Sequence, residues 1–295
     1  FSPGHVTGFF QIKDRPNDPL LKGSRGAGVS ITRGITTKVA VEKSTRKSVG
    51  ILTNNATHSA PVSKRVANAF LSQVEQSYRV IVEHDVRVPI GCGFGSSGAG
   101  ALSLALALND VLDLRLSRLE AAQRAHVAEI ECKTGLGTVI DEAFGGLQIR
   151  VKPGAPDVGE VKSIPVNEDH TVACLSLGPM RTPKILTSET FRQRINELGG
   201  DLVDELVGQP SISNFMDFSR KFTEHVGLIS SRLRKVLRET DSADIRCSMA
   251  MIGETVFSIV KRDQVEQIHE IFSKHAPSER NVIIADIDSK GARLL

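Results

Sequence analysis

The chain of 295 residues has no tryptophan and a single tyrosine, Tyr78, beside 12 phenylalanines. With so few flat polar aromatics, stacking platforms for single-stranded nucleic acid are not suggested. A strong charge of one sign is missing too. Thirty-seven basic against 34 acidic residues leave +3, too little to argue for a nucleic-acid partner. Cysteine is scarce and scattered: Cys92, Cys132, Cys174 and Cys247 contain no C-x-x-C pair. That spacing argues against a zinc site or a secreted disulfide framework, and leads us to expect reduced thiols in the cytoplasm. The longest apolar run, Ala99 to Leu108, falls far short of the roughly 20 residues of a membrane span. No basic-then-apolar leader precedes it at the start of the chain. We therefore expect neither a nucleic-acid partner nor a membrane.

What is present is ordinary for a globular protein, with 40% hydrophobic and 24% charged residues. The length suits about two domains. Residues 3–28, punctuated by proline and glycine, read as loop. Val29–Ile31 and Thr36–Glu42 read as a hairpin, and Val49–Thr53 as a third strand. Pro61 opens an amphipathic helix to about Gln76, and Tyr78–His84 alternates like a strand. An Ala/Leu helix to about Leu112, apolar nearly all round, should be buried. Ser117 and Glu120 form a capping box for the next helix, to about Lys133. Leu147–Val151 reads as a strand, and Pro153, Gly154, Pro156 and Gly159 mark a boundary. We expect one domain over 1–155 and a second over 156–295. Beyond the boundary we read strand 171–176, two or three helices within 187–239, strands 244–251 and 255–260, helix 263–274 and strand 280–286. That is a β-α-β-β-α-β, ferredoxin-like order in an α+β protein.

Glycine is the uneven residue: 16 of 25 lie in residues 1–150 and 9 in residues 151–295. The densest cluster is Pro89-Ile-Gly91-Cys-Gly93-Phe-Gly95-Ser96-Ser97-Gly98-Ala-Gly100. Gly93 to Gly98 fits G-x-G-x-x-G, but a second helix follows the first with no strand between, which argues against a dinucleotide fingerprint. No Lys-Ser/Thr ends the loop, which excludes a Walker P-loop, and the V-A-I-K and H-R-D motifs of protein kinases are absent. The physics survives these exclusions. Alternating glycines let backbone N–H groups approach an anion, Ser96 and Ser97 add hydroxyls, and a helix N-terminus favours phosphate. The bland alternative is a tight turn that packs a buried helix.

These residues resemble the phosphate loop of the GHMP kinase superfamily. Ser2-Pro3-Gly4-His5 resembles its N-terminal substrate motif, Gly145-Gly146 closes a segment like its second motif, and Gly253-Glu-Thr-Val-Phe257 stands where a C-terminal glycine motif would be. Within the superfamily, residues 1–10, Gly23-Ser-Arg-Gly-Ala-Gly28 and Gly145-Gly-Leu-Gln-Ile-Arg150 are similar to the archaeal pantoate kinases. The resemblance implies a fold of two parts, an N-terminal domain like domain 2 of ribosomal protein S5 and a ferredoxin-like C-terminal domain. It also implies phosphorylation of pantoate to 4-phosphopantoate with ATP and Mg²⁺, towards coenzyme A, in a protein that often dimerises. The alternatives are another acceptor, such as homoserine, shikimate or mevalonate, or a non-catalytic sensor of nucleotide.

Helical geometry tests this separately. At about 100° per residue, Leu119, Ala122, His126, Glu129, Ile130 and Lys133 share one stripe, while Glu131 faces solvent. An inward carboxylate needs a cation or metal partner, unless Glu129 only pairs with Lys133 along the helix. The resemblance implies that Glu129 and Ser97 hold Mg²⁺, and that Gly91, Gly93, Gly95, Ser96, Ser97 and Gly98 take the ATP phosphates. His126 is either a satisfied core histidine or a donor to the acceptor substrate. Arg150 matches a carboxylate such as that of pantoate, or is a solvated strand end. Ser24 binds the same substrate or shapes a turn. One departure stands out: Thr138 occupies the position where many members of the superfamily carry an Asp. Asp141 then reaches in as base, or Thr138 orients the nucleophile, or no protein base is needed, or the enzyme is weakened.

Overall fold

The computed structural model describes residues 1–57, 59–180 and 182–295. Strands β1 (Ser2–Lys13) and β2 (Gly23–Lys43) are joined through a 3-10 turn at Pro19–Leu21. Strand β3 (Ser48–Thr53), helix α1 (Pro61–Leu71) and strand β4 (Tyr78–Val86) follow. Next come helices α2 (Ser96–Val111), α3 (Arg118–Cys132) and α4 (Thr138–Phe144), then strands β5 (Leu147–Lys152) and β6 (Glu160–Ile164). The first sheet runs β3-β4-β2-β5-β6, with β1 also on β2. β2 is long enough to serve several partners: residues 23–35 pair with β1, 35–43 with β4 and 26–29 with β5.

Two expectations are corrected here. Most of the segment 3–28 is strand, and the hairpin expected across Val29–Ile31 and Thr36–Glu42 is one continuous strand. The glycines there are not turns. They are strand positions at which a neighbour fills the space of a Cβ, as at Gly28, where a methyl would overlap the His5 ring. Val6 and Phe9 between them are fully buried, so β1 is core. Helix signals fared better. Pro61 stands at the first turn of α1, and the Ser117–Glu120 capping box starts α3.

The second sheet is built from β7 (His170–Gly178), β8 (Ser248–Met249), β9 (Glu254–Lys261) and β10 (Val282–Ala285). Helices α5 (Thr182–Thr187), α6 (Glu189–Gly208), α7 (Ile212–Val226) and α8 (Ser231–Ser242) join β7 to β8, and α9 (Val265–His275) joins β9 to β10. The antiparallel order β10-β7-β9-β8 is the expected ferredoxin-like arrangement, although β8 is far shorter than 244–251. The fold is α+β with two sheets. β6 pairs with β5, so a division after residue 155 would cut this hairpin; we propose the division after Ile164, on sheet membership. One core joins the sheets. Phe9 on β1 meets Phe215 on α7 at 6.3 Å between ring centroids, and Phe215 meets Phe257 on β9 at 6.0 Å. A second core lies under α1, α2 and α3 against β4.

Candidate active site

A cavity of about 790 Å³ opens where the glycine loop, β1, the start of β2, β5 and the start of α4 meet the segments that follow β7 and β8. Its floor is the loop. Gly91, Gly93 and Gly95 have φ of +75°, +88° and +63°, which turn successive amides in a way that L side chains resist. Gly95 caps α2 with no side-chain hydrogen bond, so the helix's first N–H groups are left for a ligand. The loop is held from outside. His5 N–H donates to Phe94 C=O and Met180 N–H to Gly91 C=O, both at 2.9 Å. Thr255 Oγ1 donates to Cys92 C=O at 2.7 Å, and Gly253 packs against Cys92 so closely that a Cβ would overlap it. The C-terminal glycine motif thus supports the loop without lining the cavity.

Glu129 reaches the cavity from α3 and is 2% exposed. Ser97 Oγ donates to its Oε1 at 2.5 Å and Thr138 Oγ1 to its Oε2 at 3.2 Å. Burial holds the Glu129 carboxyl above its ordinary pKa, and the hydroxyls of Ser97, Thr138 and Thr134 pull it back only in part. Glu131 faces solvent and pairs with Arg65, while Lys133 ends α3 at a positive φ, exposed, so no Glu129–Lys133 pair forms.

Across the cavity lie Ser24 on β2 and Arg150 on β5. Arg150 is 2% exposed, and burial lowers its pKa from 12.5 to about 10, which leaves it charged at neutral pH. Its Nη1 pairs with Asp141 Oδ2, which also lies 3.0 Å from His5 Nε2. His5 itself is held well below its ordinary pKa, first by burial and then by Arg150, so it is neutral. Asp141 is fully buried behind Arg150 and His5 and does not line the cavity.

The structure thus brings Gly91, Gly93, Gly95, Ser96, Ser97, Glu129, Thr138, Ser24 and Arg150 around one cavity, while Gly98 is buried and does not line it. It does not bring His126 there. His126 is 1% exposed and its Nε2 faces the carbonyls of Pro19 (3.2 Å) and Lys22 (3.0 Å), fixing the turn between β1 and β2. Its inward stripe position reflects that clamp. Among described residues, Glu129 is the only carboxylate on the cavity wall. Sequence reasoning missed Glu142, buried beneath Gly95 and Gly98 with neither carboxyl oxygen hydrogen-bonded. Burial, then the nearby Glu129, push its pKa well above the ordinary range. The available signal was its place one turn after Thr138, but α4 was not recognised as a helix.

A two-sheet α+β fold, a glycine loop on an uncapped helix and a buried Ser–Glu pair beside it are the features that the resemblance to the GHMP kinases implies. The GHMP kinases N-terminal domain family matches residues 62–146. Pantoate kinase of Methanocaldococcus jannaschii is 34% identical over 266 residues, 90% of this chain and 94% of that protein. A solved phosphotransferase related to the CoA biosynthesis pathway superposes with a TM-score of 0.86 at 30% identity, over 99% of this chain and 96% of that one. MDDEF in complex with MVAPP, AMPPCP and magnesium shares the fold at TM-score 0.74 and 17% identity, over 98% and 95% of the two chains. The chain belongs to the GHMP kinase superfamily, and within it to the pantoate kinase family.

Proposed function

We propose that this chain phosphorylates pantoate to 4-phosphopantoate with ATP and Mg²⁺, in the cytoplasm, as a step towards coenzyme A. The observation that carries the reading is one cleft with two anion-accepting ends. The uncapped α2 N-terminus lies at one and the buried, charged Arg150 beside Ser24 at the other. The N–H groups of 91–98 receive the phosphates. Arg150, steadied by Asp141, takes the pantoate carboxylate through its guanidinium fork, and Ser24 adds a hydroxyl beside it. Ser97 and Glu129 supply one hydroxyl and one carboxylate, hard oxygen donors of the kind Mg²⁺ accepts when phosphates complete its set. The cost of burying Glu129 alone is met by such a cation. Held there by Ser97 and Glu129, such a cation would supply neutralisation of the charge that builds on the transferring group. Thr138 orients the acceptor hydroxyl, and a loose transition state needs no strong protein base.

The test is ADP release from ATP and Mg²⁺ across hydroxy acids. Release with pantoate, and not with homoserine, shikimate or mevalonate, is the expected result. Arg150→Ala should raise the KM for pantoate about a hundredfold, as loss of a charge-assisted pair implies, with the KM for ATP unchanged. Release with a different acid alone would reassign the acceptor.

A further inference from the structure

We propose that the segment 286–293 is a positioning element of the active site, with Asp288 as its organising residue. β10 ends on the second sheet at Ala285, and the chain then crosses back to the first sheet. Thr32 N–H donates to Asp286 C=O at 2.9 Å, and Ile287 forms a β-bridge with Ile31. Three backbone bonds then close a ring. Asp288 N–H donates to Ser30 C=O at 2.9 Å, Ser30 N–H to Gly146 C=O at 2.9 Å, and Gly146 N–H to Asp288 C=O at 2.6 Å. The ring ties the segment to β2 and to the double-glycine turn between α4 and β5.

The same segment grips α4. Ala292 N–H donates to Glu142 C=O at 2.8 Å, and Arg118 Nη1 donates to both Ala143 C=O (2.8 Å) and Ala292 C=O (3.2 Å). The Asp288 side chain, 3% exposed, folds the segment on itself. Its Oδ1 accepts from Lys290 N–H (3.0 Å) and Gly291 N–H (2.8 Å), and Arg293 Nη1 reaches its Oδ2 at 3.0 Å. A Cβ at Gly145 would overlap Asp288 C=O, and one at Gly291 would overlap Ala143 C=O, so both glycines are contact points of this packing.

The link to the chemistry is Ser30. Its Oγ donates to Asp141 C=O at 3.3 Å and lies 3.3 Å from His5 Nδ1. The segment therefore sets the depth of α4, which carries Thr138 and Asp141, and through Asp141 the aim of Arg150. Among described residues, no hydrogen bond joins it to the loop 89–98. Its reach to that loop is indirect, through Glu142 beneath Gly95 and Gly98 and through His5, so displacing it should disturb the acceptor end of the cleft more than the nucleotide end.

The kinetic arm of the test rests on the function proposed above; the exchange arm does not. Asp288→Ala in the full chain should raise the KM for pantoate and lower kcat, each about tenfold, as a small misplacement does, with the KM for ATP within about twofold. Asp288→Asn, which keeps one acceptor oxygen, should restore most of the loss. Amide exchange over 138–146 should quicken about tenfold in Asp288→Ala and stay unchanged over 96–111. If Asp288→Ala does not fold, Arg293→Gln should give the same split at smaller size. A fall in kcat with both KM values unchanged, or equal quickening in both segments, overturns the inference. A wild-type protein that releases no ADP with pantoate overturns the proposed function instead, and exchange alone then decides the positioning role.

Discussion

Glu129 and Asp141 are both buried carboxylates, and their neighbours give them different work. Glu129 is surrounded by hydroxyls and has no cation partner among the described residues, so its charge is costly unless a metal is bound. Glu129→Gln keeps the shape and removes the charge. It should lower kcat by about 10² or more, since metal-assisted charge neutralisation is lost, while thermal stability without nucleotide holds or rises. Wild-type turnover in that variant would remove Glu129 from the metal role. Asp141 is already paired with Arg150 and faces His5. Asp141→Asn strands a buried guanidinium and should cost about 3 kcal/mol in chemical denaturation, with a raised KM for pantoate. The pH profile of kcat should keep its shape, whereas loss of a general base would abolish its acidic limb. The inward position of Glu129 was legible from helical spacing, and the place of Ser97 beside it from the family resemblance; for Arg150 the residue type left a solvated strand end open. The Asp141–Arg150 pair was not legible, because it forms only when the turn at Gly145-Gly146 folds β5 back beside α4.

At the level of elements, signals that are local in the chain were read and those that depend on neighbours were not. The capping box of α3 is local, since Ser117 Oγ accepts from Glu120 N–H and Glu120 answers to Ser117 N–H. Ser117→Ala should cost about 1 kcal/mol in denaturant unfolding and leave both KM values unchanged. β1, rich in glycine, looks like loop until the side chains that fill its gaps are in place. α4 has seven residues between glycines, too few for a helical period to register. Gly145 ends it at φ +74°, ψ −178°, a region open to glycine alone. Gly145→Ala adds that strain to an overlap with Asp288 and should cost more than about 2 kcal/mol, several times the effect typical of a surface substitution. An unfolding midpoint equal to wild type would show that the turn relaxes freely.

Across the whole molecule, three buried histidines and two buried glutamates set opposing pH responses. His84 bridges β4 to β2 and α1, with Nδ1 2.8 Å from Thr37 Oγ1 and Nε2 3.0 Å from Ser63 Oγ, and burial lowers its pKa to about 4. His5 is lowered by burial and then Arg150, and His126 by burial against the carbonyls that favour its charge. Below about pH 6.5 the unfolded chain binds protons that the folded chain refuses, so stability falls with acid. His84 alone accounts for about 3 kcal/mol of that loss by pH 4. Glu129 and Glu142 act in the other direction, because burial raises both. Above about pH 4.5 the folded chain holds protons that the unfolded chain has released, and stability falls as pH rises through the raised values. Between about pH 4.5 and 6.5 the two responses oppose each other. Without nucleotide or metal, stability should therefore pass through a peak, falling on the acid side with the histidines and on the alkaline side with the glutamates. His84→Gln should soften the acid side, and Glu142→Gln, which cannot titrate, should flatten the alkaline side. Urea unfolding at three pH values on each side of the peak checks both. An alkaline slope in Glu142→Gln equal to wild type would mean that Glu142 is ionised, and satisfied, beneath the phosphate loop.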